Sequence, residues 1–85
     1  MKIYYSGKFS KGYKKLPKEI KLLAEEKENI FRVNPSDPRL KTHKLKGKLS
    51  DFYSFSISYH WRIVFHFEKD NTIIFDTIGT HEVYR

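Results

Sequence analysis

The sequence contains no cysteine, only four glycines and three prolines in 85 residues, and no long apolar run. Without cysteine there is no disulfide, no thiolate nucleophile and no Cys-ligated zinc site. The same absence suits a reducing cytoplasm, where the chain is expected to work. Few prolines and glycines, with 39% hydrophobic residues, exclude a disordered tail. No stretch approaches the roughly 20 apolar residues that span a bilayer, so no membrane partner is expected. The opening Met1-Lys2-Ile3-Tyr4-Tyr5-Ser6 is too short and too polar for a secretory signal. Acids are also scarce. Ten Asp+Glu against seventeen Lys+Arg leave a net charge of +7. That balance points to nucleic acid, an anionic surface or an acidic protein, and does not choose among them.

What is present is aromatic. Seven Phe, six Tyr and one Trp give a small chain the buried area that a single core of this size needs. One domain over residues 1–85 is therefore expected. Residues 2–5 are β-prone and read as a short first strand. Ser6 offers an N-cap, and Phe9, Tyr13 and Leu16 fall at helical spacing for a first short helix. Pro17 suits the first turn of a second helix, whose apolar stripe is Ile20, Leu23, Ala24, Ile30 and Phe31. Glu19, Glu25, Glu26, Glu28, Lys18, Lys21 and Lys27 read as its solvated surface, and Asn34-Pro35 stops it.

After a linker beginning at Ser36-Asp37-Pro38, the stretch 39–48 carries five cations and no acid. Period-two alternation then sets Tyr53, Phe55, Ile57, Tyr59, Trp61, Ile63, Phe65 and Phe67 against Ser54, Ser56, Ser58, His60, Arg62 and His66. Its length calls for a turn near 58–60, and a three-residue loop there preserves the parity. Lys69-Asp70-Asn71 is a second turn, followed by a strand from 72 to about 78. The order β-α-α-β-β-β predicts an α+β fold, a short N-terminal strand and helical hairpin packed on a small antiparallel sheet. The sheet's other face, bearing Ser54, Ser56 and Arg62, is expected to stay open, with His66 facing solvent.

The basic stretch is either an ordinary solvated loop or a surface that tracks phosphates by releasing counterions. Arg62 is either a surface arginine or a guanidinium that grips a phosphate with parallel hydrogen bonds. The four histidines lack metal-ligand spacing, so neither a metal nor a small-molecule cofactor is expected. Imidazole titrates near neutrality and can act as base or acid, and a cation can stabilise charge that develops on a phosphate. RNA cleavage without a metal needs those groups: a base for the 2′-OH, a cation and an acid.

The segments Lys44-Leu45-Lys46-Gly47-Lys48-Leu49, Tyr53, Trp61-Arg62-Ile63-Val64-Phe65 and Ile78-Gly79-Thr80-His81-Glu82-Val83-Tyr84 together resemble the RelE/ParE superfamily of bacterial toxins. The resemblance spans nearly the whole chain. It implies the toxin of a type II toxin–antitoxin pair that cuts mRNA in the ribosomal A site without a metal, leaving a 2′,3′-cyclic phosphate and a 5′-hydroxyl. Its implied partners are a cognate antitoxin, the ribosome and mRNA.

By that resemblance His43 matches a catalytic His of YafQ-like members and a base Glu of YoeB-like ones. Arg62 matches the phosphate-stabilising Arg of the RelE and YoeB branches, and His81 the C-terminal catalytic His of YoeB-like and YafQ-like toxins. Tyr84 matches the terminal Tyr of RelE-like members, and Trp61 a Trp of YafQ-like ones that equally suits a core position. The implied roles are His43 as base, Arg62 as clamp, His81 as acid and Tyr84 as positioning residue, with the acid and base interchangeable. Lys41, Lys44, Lys46 and Lys48 would hold the RNA backbone. Ser54 and Ser56 stand where RelE-like toxins carry lysines, His60 where YafQ-like ones carry Asp, and Thr77 where those carry Arg. The two histidines bring the chain closest to YafQ and YoeB. The alternatives are a ParE-like gyrase poison and a non-catalytic member that binds RNA or antitoxin only.

Overall fold

The computed structural model describes residues 1–80. In chain order these form β1 (Lys2–Tyr5), α1 (Gly7–Lys14), α2 (Lys18–Val33), β2 (His43–Lys44), β3 (Tyr53–Ser56), β4 (Arg62–Glu68) and β5 (Thr72–Gly79). Short 3-10 turns lie at Pro38–Leu40 and Gly47–Leu49. The fold is α+β, with two helices on a five-stranded sheet of order β1-β5-β4-β3-β2.

Local chemistry accounts for most boundaries. Ser6 Oγ accepts from the Phe9 amide at 3.0 Å, capping α1, and donates to the Asp76 carbonyl at 2.7 Å. One serine thus starts the helix and ties it to β5. Pro17 precedes α2 as its N-cap, and Asn34 closes it with extended backbone. At the β4–β5 turn, Asp70 and Asn71 take φ of 60° and 57°, a left-handed region these two residue types tolerate. In the β3–β4 turn the amides of Ile57 and Ser58 both donate to the Trp61 carbonyl, enclosing residues 58–60. Ser56 therefore pairs with Arg62, and parity survives the turn as predicted.

Two features differ from the sequence reading. β1 joins β5 in parallel, so the sheet is mixed, with the pairs β2–β3, β3–β4 and β4–β5 antiparallel. A parallel partner needs a long crossover, here the whole of residues 6–71, and no local pattern reports it. Within the expected basic loop, His43 and Lys44 form an added edge strand against Ser54 and Tyr53. Two residues are too few to show a period.

The core lies between α2 and the sheet. Phe31 is fully buried, stacks on Phe55 at 4.8 Å between ring centroids, and meets Phe65 and Phe75 edge-on at 5.0 and 5.5 Å. Such pairs are each worth about 0.5–1.5 kcal/mol beyond their area. α1 approaches β5 so closely that a Cβ on Gly12 would lie 3.2 Å from Ile78, which explains a glycine inside a helix. Opposite Ile63 and Phe65 of β4 stand Ile78 and Phe75 of β5, so Asp76 is an extra, bulged residue. The bulge lets two residues three apart face the same core.

The sheet's far face is not the open platform expected. Ser54 is 0% exposed and Ser56 8%, and Val64 on the same face is buried too. Period two tells which residues turn from the helices, not what then covers them. Arg62 lies against Ser56, its Nη1 donating to the serine Oγ. His66 also departs from the solvent-facing expectation. Its Nδ1 meets Asp76 Oδ2 and its Nε2 meets Glu68 Oε2, each at 2.7 Å. The bulge supplies the first carboxylate.

Candidate functional site

The far face carries a row of cross-strand neighbours, His43, Ser54, Val64 and Thr77, and beside it the row Ser56, Arg62 and Gly79. Residues paired across strands share a face, so His43 and Arg62 lie on the same side of the sheet. They are two strands apart and two residues along, about 12 Å between Cα atoms from standard sheet spacings. His43 is exposed. Its Nδ1 lies 3.1 Å from the Lys41 carbonyl, which can only accept, so Nδ1 carries the hydrogen in that bond. In the neutral ring this leaves Nε2 as the acceptor, with no bond to it among the described residues.

Lys41 is itself set by backbone geometry. It ends the turn Pro38–Leu40 in a left-handed conformation, φ 52°, with its amide donating to the Pro38 carbonyl. That bend turns the chain from the linker into β2. His43, Lys44 and Lys46 line a shallow hollow of about 290 Å³ with Leu45 and Leu49. Lys48 is exposed in the 3-10 turn that follows. Of the four predicted lysines, then, Lys44 and Lys46 line one hollow with His43, whereas Lys41 lines another with Arg62.

A second hollow, of about 310 Å³, is lined by Lys27, Arg39, Lys41 and Arg62 with Ser56, Ile57, Ser58 and Tyr59. Among the described residues four cations and no carboxylate face it. Arg39 is held at its edge by Asp37, with Nε to Oδ1 at 3.0 Å and Nη2 to Oδ2 at 2.9 Å. Side-chain and backbone hydrogen bonds from Arg39 hold the Asp37 carboxyl down to about 2. Nη1 of Arg39 takes part in neither bond.

Lys27 is the residue the sequence reading misplaced. It was expected on the solvated surface, yet it is half-buried and faces this hollow. Lys27 stands seven residues after Ile20, four after Leu23 and three after Ala24, a position inside the apolar stripe. A cation where the stripe calls for a Leu was the available signal. His60, by contrast, is an exposed turn residue whose ring packs edge-on to Tyr59 at 4.8 Å. Trp61 is half-buried and packs against the core. His81 and Tyr84 lie outside the described residues.

Electrostatics on His66 oppose each other. Partial burial pulls its pKa down, but hydrogen bonds to Asp76 and Glu68, and the charges of these carboxylates, outweigh it and hold the imidazole above its ordinary range. With a carboxylate on each ring nitrogen the imidazolium is the form this arrangement favours. Such a clamped ring is a poor candidate for a base. Among the described residues no group of three or more His, Cys, Asp or Glu could hold a metal ion.

Residues 1–84 match the family model of the "bacterial toxin of type II toxin-antitoxin system, YafQ". The chain belongs to the YafQ toxin family. Its fold agrees with this membership. YafQ from E. coli strain BL21(DE3) superposes with a TM-score of 0.78 at 24% identity, covering 95% of this chain and 93% of that one. A YoeB/ParE toxin from Agrobacterium tumefaciens gives 0.80 at 15% identity, over 95% and 99%. YafQ in the E. coli DinJ-YafQ toxin-antitoxin complex gives 0.76 at 24%, over 95% and 92%. At these identities the structures speak to fold alone. No curated protein matches the sequence. Among the described residues of this YafQ-family toxin, no helix is long and apolar enough to cross a membrane.

Proposed function

We propose that this YafQ-family toxin is an endoribonuclease that cuts mRNA in the ribosomal A site by attack of the ribose 2′-OH on its own 3′-phosphate. The observation that carries the reading is the far face of the sheet, where a tautomer-fixed His43 and the guanidinium of Arg62 share one side. Nε2 of His43 would take the 2′-OH proton. The oxygen then bonds to phosphorus, Arg62 stabilises the negative charge of the pentavalent phosphate, and the bond to the 5′-oxygen breaks. His81 would return a proton to that oxygen, giving a 2′,3′-cyclic phosphate and a 5′-hydroxyl. β5 ends at Gly79, the cross-strand partner of Arg62, two residues before His81 in the chain.

Tyr84 would position the substrate. Lys44, Lys46 and Lys48 would hold the backbone on the His43 side and Lys41 on the Arg62 side. Base, cation and acid are all side chains in this scheme, so it calls on no metal or cofactor. Since the related YafQ crystallises with the antitoxin DinJ, we extend an antitoxin partner to this chain, along with a cytoplasmic site of action and a single domain over its length. The test is cleavage of mRNA on programmed ribosomes with the 5′ ends mapped. Wild-type protein should cut in the A-site codon, and Arg62→Ala and His43→Ala should lose the cut. Intact mRNA with wild-type protein would overturn the reading.

A further inference from the structure

The hollow of Lys27, Arg39, Lys41 and Arg62 is more strongly cationic than a single phosphate clamp requires. Lys27 is the telling member. A half-buried lysine inside an apolar stripe replaces a packing residue with one whose head must find an anion or water. Among the described residues no ion pair holds Lys27, Lys41 or Arg62. The carboxylate that feels Lys27 electrostatically, Asp37, already has both oxygens bonded to Arg39. At the border stands Tyr59, 84% exposed at the tip of the β3–β4 turn. An aromatic ring held out in water beside grouped cations is how proteins bind single-stranded nucleic acid: the cations follow the backbone and the ring stacks on a base.

We infer that this hollow is a subsite for a nucleotide of single-stranded RNA next to the one that is cut, with its phosphate among Lys27, Arg39 and Lys41 and its base on Tyr59. Arg62 borders both positions and so links the subsite to the reacting phosphate. An acidic protein segment would also be served by the cations, but a ring set beside them to stack on a base makes RNA the occupant the residues favour. The inference rests on the RNA-cleaving reading for its substrate class.

The test is fluorescence anisotropy of the full chain with a labelled, 2′-O-methylated RNA hexanucleotide, which binds without being cut, over a range of salt concentrations. Lys27→Met should weaken binding and reduce the slope of log affinity against log salt by about 0.7. Lys27→Arg should restore both. Tyr59→Ser should weaken binding by about fivefold or more, and Tyr59→Phe should bind as wild type. Equal thermal midpoints would establish that the variants fold. Wild-type affinity and slope in Lys27→Met, or wild-type affinity in Tyr59→Ser, would overturn the subsite. So would a polyglutamate peptide that binds with the same dependence on Lys27 when the RNA does not. Ribosome cleavage separates the two readings. Cutting that persists while both variants bind normally sinks the subsite alone. RNA binding that depends on Lys27 and Tyr59, with ribosomal mRNA left intact, keeps the subsite and sinks the nuclease.

Discussion

Helix α2 stands between two hollows of opposite character. On the α1 side, Tyr5, Phe9, Tyr13, Glu25 and Glu28 line the larger, about 590 Å³, with Lys14 its one cation. Tyr5 Oη donates to Glu28, which also accepts from Arg32 Nε and Nη2 at 3.2 and 2.9 Å. On the turn side, Lys27 faces the basic hollow. Lys27 and Glu28 are neighbours in sequence, yet the 100° step of a helix sends them to different flanks. Both carboxylates of the acidic hollow have partners, Glu28 as above and Glu25 accepting from Tyr13 Oη at 3.4 Å, and burial and Glu28 together raise the Tyr5 hydroxyl pKa. Among the described residues the basic hollow keeps three cations without an ion-pair partner, Lys27, Lys41 and Arg62, against Lys14 alone on the other flank. Unpaired charge, more than volume, distinguishes a surface awaiting a ligand from one that is already complete.

The largest expected effect strikes what both hollows share. Phe31→Ala, beneath α2, should cost about 3–5 kcal/mol in chemical denaturation; a smaller loss would mean α2 is held mainly by its flanks. Arg62→Ala should slow ribosomal mRNA cleavage by about a hundredfold or more while leaving the denaturation midpoint nearly unmoved. Reversing the charge with Lys27→Glu should weaken RNA binding more than Lys27→Met does. Glu28→Gln on the opposite flank should leave RNA affinity unchanged and cost about 1 kcal/mol or less. Equal responses on the two flanks would erase the contrast between them.

The smallest effect concerns pH. The pKa of His66 is raised in the folded chain, so its stabilising contribution is full below its unfolded value of about 6.5 and fades as pH rises through the higher folded value. His66→Gln should flatten that part of the stability–pH curve, and a histidine NMR titration should show one ring titrating late.

Much of this was legible beforehand, for reasons that differ by residue. Ser6, Asn34-Pro35, the 58–60 turn and Asp70-Asn71 act on their nearest neighbours, so a local reading suffices. β1 against β5 is a contact between the two ends of the chain, and β2 is too short to show alternation. Arg62 stood out as a guanidinium on the polar parity of a strand whose other face is aromatic. Lys27 was missed because it was read by residue type and not by its place in the stripe. The burial of Ser54 and Ser56 depends on what lies over them, which alternation does not encode. Glu68, two residues from His66, was visible as a same-face neighbour; Asp76 was not, since only the bulge brings it there. The apolar spacing did record that bulge, widening from two between Ile73 and Phe75 to three between Phe75 and Ile78.

Asp76 has a peculiar freedom that follows from its place in the bulge. Phe75 and Thr77 are already matched to consecutive residues of β4, so the ladder runs on either side of Asp76 without using it as a rung. A chain that lost this one residue could close the gap and keep every other pairing in step, Gly79 still opposite Arg62. What would go is the carboxylate on His66 and the carbonyl that receives Ser6. Lineages of this fold could therefore gain or drop the residue as a unit, altering how a histidine is held and how a helix is moored without resetting the sheet.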